Sequence, residues 1–221
     1  MKVLAIDTSF EACSAAIVCD GTVLWSQRKI IGKGHSEILP PMAAEGLAAS
    51  GFSAADFDRI GVVIGPGAFA GIRVGLAFAR AFRLGAKAAI IGVTSLEALA
   101  ESVGGRRAIA PIFDARRGQV YAALFDAAHN ALVEPFVATP QEAALRLQKG
   151  AADFSLAGSR ARLIAPFLQN AAIIDQPYID PACVARIAGR GDAPNAPPAP
   201  LYLRPPDAAP FRGSIFDGAR R

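Results

Sequence analysis

Apolar runs separated by short polar breaks predict strands first. Val3-Leu4-Ala5-Ile6 is unbroken and ends at Asp7, and a second run spans Cys13 to Cys19. Unbroken runs of this length fit strands buried on both faces. Asp20-Gly21 lies between apolar runs and is a strong hairpin signal, because a two-residue turn of this kind needs positive φ at both positions. Thr22-Val23-Leu24-Trp25 continues beyond it, so residues 2–28 predict a three-stranded antiparallel meander. A helix is expected from Ser36, a candidate N-cap, to about Ser50. Pro40 and Pro41 fall inside it. Proline lacks the backbone donor and clashes with the preceding turn, so this helix is expected to start or kink there. Residues 60–64 predict a short buried strand. Ile72, Leu76 and Ala79 recur at i, i+4 and i+7 and predict a helix over 72–84. A strand over 88–93 and a helix over 95–102, capped by Thr94, complete the first half.

A break follows at Gly104-Gly105-Arg106-Arg107, after which the pattern repeats. AIDTSFEACSAAIVCD at 5–20 and PIFDARRGQVYAALFD at 111–126 share one plan: an apolar run ending in Asp, a polar turn, then an apolar run ending in Asp. A strand–turn–strand opening each half of a chain is what a duplication leaves. The signals then weaken. Residues 140–149 and 160–169 predict helices, and 154–156 and 172–174 predict strands. From Ala193 onward proline is dense, which excludes regular helix and central strand. That stretch is either flexible or laid on a surface. The expected organisation is a first subdomain over 1–103, a second over 104–192 and a Pro-rich tail over 193–221.

The 221 residues are 52% hydrophobic and 19% charged, with Asp and Glu balanced by Lys and Arg to a net charge of +4. That is the composition of a globular chain, large enough to bury a substantial core. No apolar run reaches the roughly 18–20 residues of a membrane span. The N-terminus lacks the apolar stretch and small-residue cleavage site of a secretory signal, so a cytoplasmic location is expected. Cys13, Cys19 and Cys183 form no CxxC pair and suggest neither a disulfide framework nor a zinc site. The mildly basic balance, with 18 Arg among the 23 basic residues, is compatible with an RNA-handling assembly without requiring one.

The segment GPGAFAGIRVG at 65–75 is glycine-rich and joins a strand to a helix, as phosphate-binding loops do. It lacks the Lys-Ser/Thr pair of a P-loop, since Ile72-Arg73 follows Gly71. Its G-x-G-x-x-x-G spacing also misses the dinucleotide fingerprint. Two roles stay open: anion binding at a helix N-terminus, or a steric role in which the missing Cβ atoms let backbones approach. The absence of a hydroxyl or Lys in the loop favours the steric role. Arg73, Arg80 and Arg83 share one side of the helix, either as a solvated face or as a contact for a partner or RNA. His35 is followed by Leu39, not by a second His at metal-binding spacing, and no nucleophile–base pair or close pair of carboxylates is evident.

Ile6-Asp7-Thr8-Ser9, Gly34-His35-Ser36-Glu37, GPGAFAGIRVG, DARRGQVY at 114–121 and Tyr202-Leu203-Arg204 occur in this order along almost the whole chain. In this the chain resembles the TsaB (YeaZ) family. The family loop usually reads GPGSFTGLRIG, and Ala68 and Ala70 here replace its two hydroxyl residues. The resemblance implies a duplicated actin-like α/β fold of the ASKHA, ribonuclease H-like type, with two subdomains of mixed sheet flanked by helices. It implies a non-catalytic subunit of the bacterial machinery that installs threonylcarbamoyl on tRNA adenosine. The implied partners are a TsaD-type catalytic paralogue, which carries the metal ligands, and a TsaE-type ATPase. A homodimer is implied when the chain is alone, and tRNA contact only through the complex; no cofactor, metal or membrane is expected.

An actin-like ATP site needs a phosphate hairpin in each half and a glycine-rich adenosine turn. Here Asp7-Thr8-Ser9 keeps the first, Asp114-Ala115-Arg116 is bulky at the second, and Ala157-Gly158-Ser159 offers one glycine. The site near Asp7, Thr8, Ser9, Asp114 and Gly158 is therefore expected to be eroded, with Asp7 capping a turn. The expected partner interface is Gly71, Ile72, Arg73, Gly75, Leu76, Ala79, Arg80 and Arg83, together with the helix near 36–50. The alternatives are an autonomous ATP-binding enzyme of the same fold and, less favoured, a peptidase.

Overall fold

A computed structural model describes residues 1–105, 107–169, 171–190, 193–194 and 196–204. The predicted meander is present as β1 (Lys2–Asp7), β2 (Ala12–Cys19) and β3 (Thr22–Ile30), all antiparallel. Asp20 and Gly21 take the positive φ values, 48° and 81°, that the hairpin requires. β4 (Arg59–Gly65) and β5 (Ala89–Thr94) join in parallel, giving the order β3-β2-β1-β4-β5. The second half has β6 (Ala108–Arg116), β7 (Gln119–Phe125), β8 (Ala131–Ala138), β9 (Phe154–Ala157) and β10 (Ala172–Ile173) in the order β10-β9-β6-β7-β8. Read from its other edge this is the same order, and its parallel and antiparallel pairings match the first sheet. The sequence echo at 5–20 and 111–126 therefore aligns β1–β2 with β6–β7, and the expected duplicated architecture is what the chain forms.

The helices repeat as well. α1 (His35–Ser50) and α2 (Phe69–Leu84) cover the outer face of the first sheet, while α4 (Pro140–Gly150) and the short α5 (Ala161–Ile164) cover that of the second. α3 (Ser95–Val103) and α6 (Pro181–Ala188) are exchanged: α3 packs on β6 and β7, α6 packs on β1, β2 and β4, and the two helices touch. They lie in a core shared by both halves, with Val3, Ala5 and Val18 on one side and Ile109, Phe113 and Tyr121 on the other. Central strands thus bury alternate residues in two cores. Leu4 and Ile6 enter the outer core and Val3 and Ala5 the shared one, which is why these strands lack a polar face.

Several expectations need correction. α1 is one helix from His35 through both prolines, started by Gly34 in the left-handed region and without a side-chain cap. The helix expected from Ile72 begins at Phe69. Residues 160–169 form only α5 and a 3-10 turn, Ala165–Phe167. β8 and α6 form where the sequence pattern predicts no element, and α6, which belongs by chain order to 104–192, lies on the first sheet. The tail is laid on a surface over 198–204; residues 205–221 lie outside the described residues.

Candidate functional site

The two matching hairpin turns face each other across a cleft of about 590 Å³. In the first turn, an Asp7 carboxylate oxygen accepts from the Ser9 backbone N–H at 2.9 Å and the Ser9 hydroxyl at 2.6 Å. Asp7 is only 3% exposed. Burial pushes its carboxyl above the usual carboxylate range, against the lowering effect of the Ser9 bonds. In the second turn, Asp114 likewise accepts from the N–H two residues on, that of Arg116, at 2.8 Å. Its other oxygen takes Arg160 Nη2 at 2.8 Å. Partial burial would raise the Asp114 pKa, but the Arg160 and Arg116 bonds outweigh it and leave the carboxyl lowered. The duplication has thus preserved the same aspartate turn in both halves, with each carboxylate engaged by its own chain.

The glycine-rich loop packs on the first turn. The Ala68 N–H donates to the Ser9 carbonyl at 2.7 Å, and the Thr8 hydroxyl donates to the Gly71 carbonyl at 2.8 Å. A Cβ at Gly67 would collide with the Ser9 carbonyl and one at Gly71 with the Thr8 carbonyl; at Gly75 it would sit 2.6 Å from the Thr8 hydroxyl. Gly67 and Gly71 are set by the backbone they lie against, and Gly75 by the Thr8 side chain. Gly158 acts in the same way in the second half: its φ of 105° and the adjacent Ile112 carbonyl leave no room for a side chain.

Phe10 of the first turn and Phe113 of the second half stack with centroids 4.2 Å apart. Around them the cleft is bordered by Glu11, Lys33, His35, Phe69, Arg116 and Arg204. His35 is buried with Nε2 3.3 Å from the Ala12 carbonyl, and His129 Nε2 lies 3.4 Å from Glu101. Neither histidine is aimed at a serine or cysteine in these contacts. The Cys13 and Cys183 thiols are pushed up to about 11 by burial, which disfavours the thiolate. Among the described residues no three His, Cys, Asp or Glu side chains gather as a metal set.

The eight residues expected at a partner interface divide by face. Gly71, Ile72, Gly75, Leu76 and Ala79 are buried beneath α2 and cannot present a surface. Arg73, Arg80 and Arg83 point outward, beside exposed Ala77, Ala81 and Leu84, the last 91% exposed. Arg73 lies over the Phe69 ring, 3.8 Å from its centroid, and donates to the Tyr202 hydroxyl at 3.3 Å; Arg80 donates to the Pro198 carbonyl at 3.3 Å. The Arg160 partner of Asp114 and the Phe10–Phe113 stack carried no signal in the sequence, because each pair meets only once the halves have folded.

A profile of the family described as "TsaD: tRNA N6-adenosine threonylcarbamoyltransferase" matches residues 23–187. The chain is 38% identical over 136 residues to the tRNA threonylcarbamoyladenosine biosynthesis protein TsaB of Escherichia coli, a match covering 60% of this chain and 58% of that protein. It is 35% identical over 217 residues to an uncharacterised protein of Mycobacterium tuberculosis, covering 95% and 94% of the two chains. Among solved structures, YeaZ from Pseudomonas aeruginosa superposes with a TM-score of 0.74 at 26% identity, over 85% of this chain and 90% of that one. A Clostridium difficile dehydratase activator with bound ADPNP shares the fold alone, at 12% identity and a TM-score of 0.52 over 85% of this chain and 92% of that one.

Proposed function

Because the chain belongs to the TsaB (YeaZ) family, we propose that it is a non-catalytic subunit of the machinery that makes threonylcarbamoyladenosine in tRNA. It pairs with a TsaD-type catalytic paralogue, works with a TsaE-type ATPase, meets tRNA through the complex and acts in the cytoplasm. The supporting observation is the state of the two hairpin-turn aspartates, of which Asp114 lines the cleft and Asp7 is buried behind it. Asp7 is buried and bonded to Ser9, and Asp114 is held by Arg160 and the Arg116 N–H. Carboxylates that position a metal–nucleotide must be free to do so, and these two are engaged within the chain.

The docking face is the outward side of α2, where Arg73, Ala77, Arg80, Ala81 and Leu84 fall on one stripe, together with exposed Glu37, Ala44 and Ala48 of α1. Small side chains keep it flat, and a stable pair needs on the order of 1,000 Å² of total burial. Acidic α1 beside basic α2 is self-complementary under a twofold axis, which suits a homodimer when the catalytic partner is absent.

The test is co-purification with the TsaD-type subunit of the same genome, followed by a tRNA modification assay. Pairing and dependence of modification on this chain are expected; Ala77→Glu with Ala81→Glu abolishes both while thermal melting is unchanged. Survival of the pair in that variant refutes the docking face, and modification independent of the chain refutes the function. The basic border of the cleft, with Lys33, Arg116 and Arg204, favours one competitor, an autonomous ATP-binding enzyme. Calorimetry on the isolated chain separates them: tight ATP binding supports the competitor, and no heat at millimolar ATP removes it.

A further inference from the structure

The last described segment crosses the molecule from one half to the other. Its first anchors are all in the first half. The Pro198 carbonyl accepts from Arg80, and the Pro198 Cβ occupies the place a Gly92 Cβ would need, 2.7 Å away. The Leu201 N–H donates to the Ile64 carbonyl at 2.8 Å, and Gly65 leaves room for the Leu201 carbonyl. The Tyr202 ring stacks on Phe69 with centroids 4.8 Å apart, and its hydroxyl accepts from Arg73. Leu203 packs against the core shared by the halves. Arg204 then reaches the second half, where Nη1 donates to the Ala115 carbonyl at 2.6 Å, inside the β6–β7 turn. Residues 201–204 border the cleft throughout.

We propose that residues 198–204 are a strap that fixes the opening of the cleft by tying the second hairpin turn to α2 and β4. Outside the strap, the halves are joined by the shared core around α3 and α6, which includes the Phe10–Phe113 stack, and by the chain crossing between them. Halves joined through a limited set of shared elements can rotate about them, which would open or close the cleft between them. A tie running along the cleft from one body to the other opposes that rotation. The fit of Gly92 and Gly65 to the strap, and its anchoring by two arginines of α2, show that the first half is shaped to hold it. Arg204 grips the second half through its hydrogen bond to the Ala115 carbonyl.

The test is a distance measurement on the full chain by double electron–electron resonance. Spin labels go at exposed Ala48 on α1 and Gln148 on α4, one in each half. A Cys19→Ser background removes the half-buried thiol, and Cys13 and Cys183 are buried. The parent chain is expected to give one narrow distribution. Arg204→Ala, alone and with Tyr202→Ala, broadens it and shifts it to longer distances. Arg204→Gln, which keeps a donor of shorter reach, broadens it less, and this milder variant carries the test should the alanine variants melt non-cooperatively. Distributions in the folded variants that match the parent overturn the proposal.

Discussion

At the scale of single residues, the glycines of 65–75 are fixed by what lies against them. Gly71 meets the Thr8 carbonyl, a backbone atom that cannot step aside. Gly71→Ala is therefore expected to lower stability by about 1–3 kcal/mol, the range for overpacking, seen as a lower midpoint in urea with an unchanged slope. A null result would mean that the loop can lift off the β1–β2 turn. Asp7 supplies a pH dependence. Its carboxyl is held above the ordinary range by burial, so folding favours the protonated form. The penalty is absent below the unfolded value of about 3.9 and grows as pH rises towards the folded value. Asp7→Asn removes that penalty while leaving an oxygen to accept from Ser9. Relative to the parent, the variant is expected to gain stability as pH rises above about 4; a difference that stays constant with pH would show that burial does not oppose ionisation of Asp7.

At the scale of elements, α2 shows how a helix reads twice. Ile72, Leu76 and Ala79 repeat at helical spacing and mark the buried stripe. Gly71 and Gly75 fall on that same side, while the arginines fall opposite, so the division between buried and exposed is legible in the sequence. α6 was invisible by contrast. It is a short helix, capped by Asp180, which accepts from the Ala182 N–H at 2.9 Å, and nothing in it names the sheet it will cover. Its close approach to β4 depends on Gly61, where a Cβ would lie 2.7 Å from the Ala188 Cβ. Gly61→Val is expected to destabilise by about 1–3 kcal/mol and to speed amide exchange in α6 more than in α4. Equal change in both helices would refute that local coupling. β8 escaped notice for a related reason: it is an edge strand with Pro135 inside and weak burial alternation, so its pattern is that of a loop.

At the scale of the whole molecule, the exchange of α3 and α6 makes one body of two similar halves. Glu101 of α3, 8% exposed, receives both terminal nitrogens of Arg190 at 2.7 and 3.0 Å, with Arg186 and His129 at 3.5 and 3.4 Å. One carboxylate thus gathers groups from the end of α6 and from the β7–β8 turn. The arginines are about half exposed, so solvent screens them, and Glu101→Gln is expected to cost about 1–3 kcal/mol, towards the lower end. Thermal melting should remain a single transition with a lower midpoint, because the apolar shared core still couples the halves. Two separated transitions would show that the carboxylate, and not that core, holds them together.

The sequence alone determined the elements with a strong local period or a strong turn: β1 to β3, the β4–α2 glycine loop, α3 with its Thr94 cap, and the repeat of β1–β2 in β6–β7. These follow from forces acting within a few residues: backbone sterics, capping and the alternation imposed by burial. Tertiary structure decided which sheet α3 and α6 cover, that Arg160 neutralises Asp114, and that the tail lies along the cleft. Arg204 and Ala115 are 89 residues apart, and Arg73 and Tyr202 are 129 apart. Contacts at such separations arise from the packing of whole layers, which no local pattern encodes.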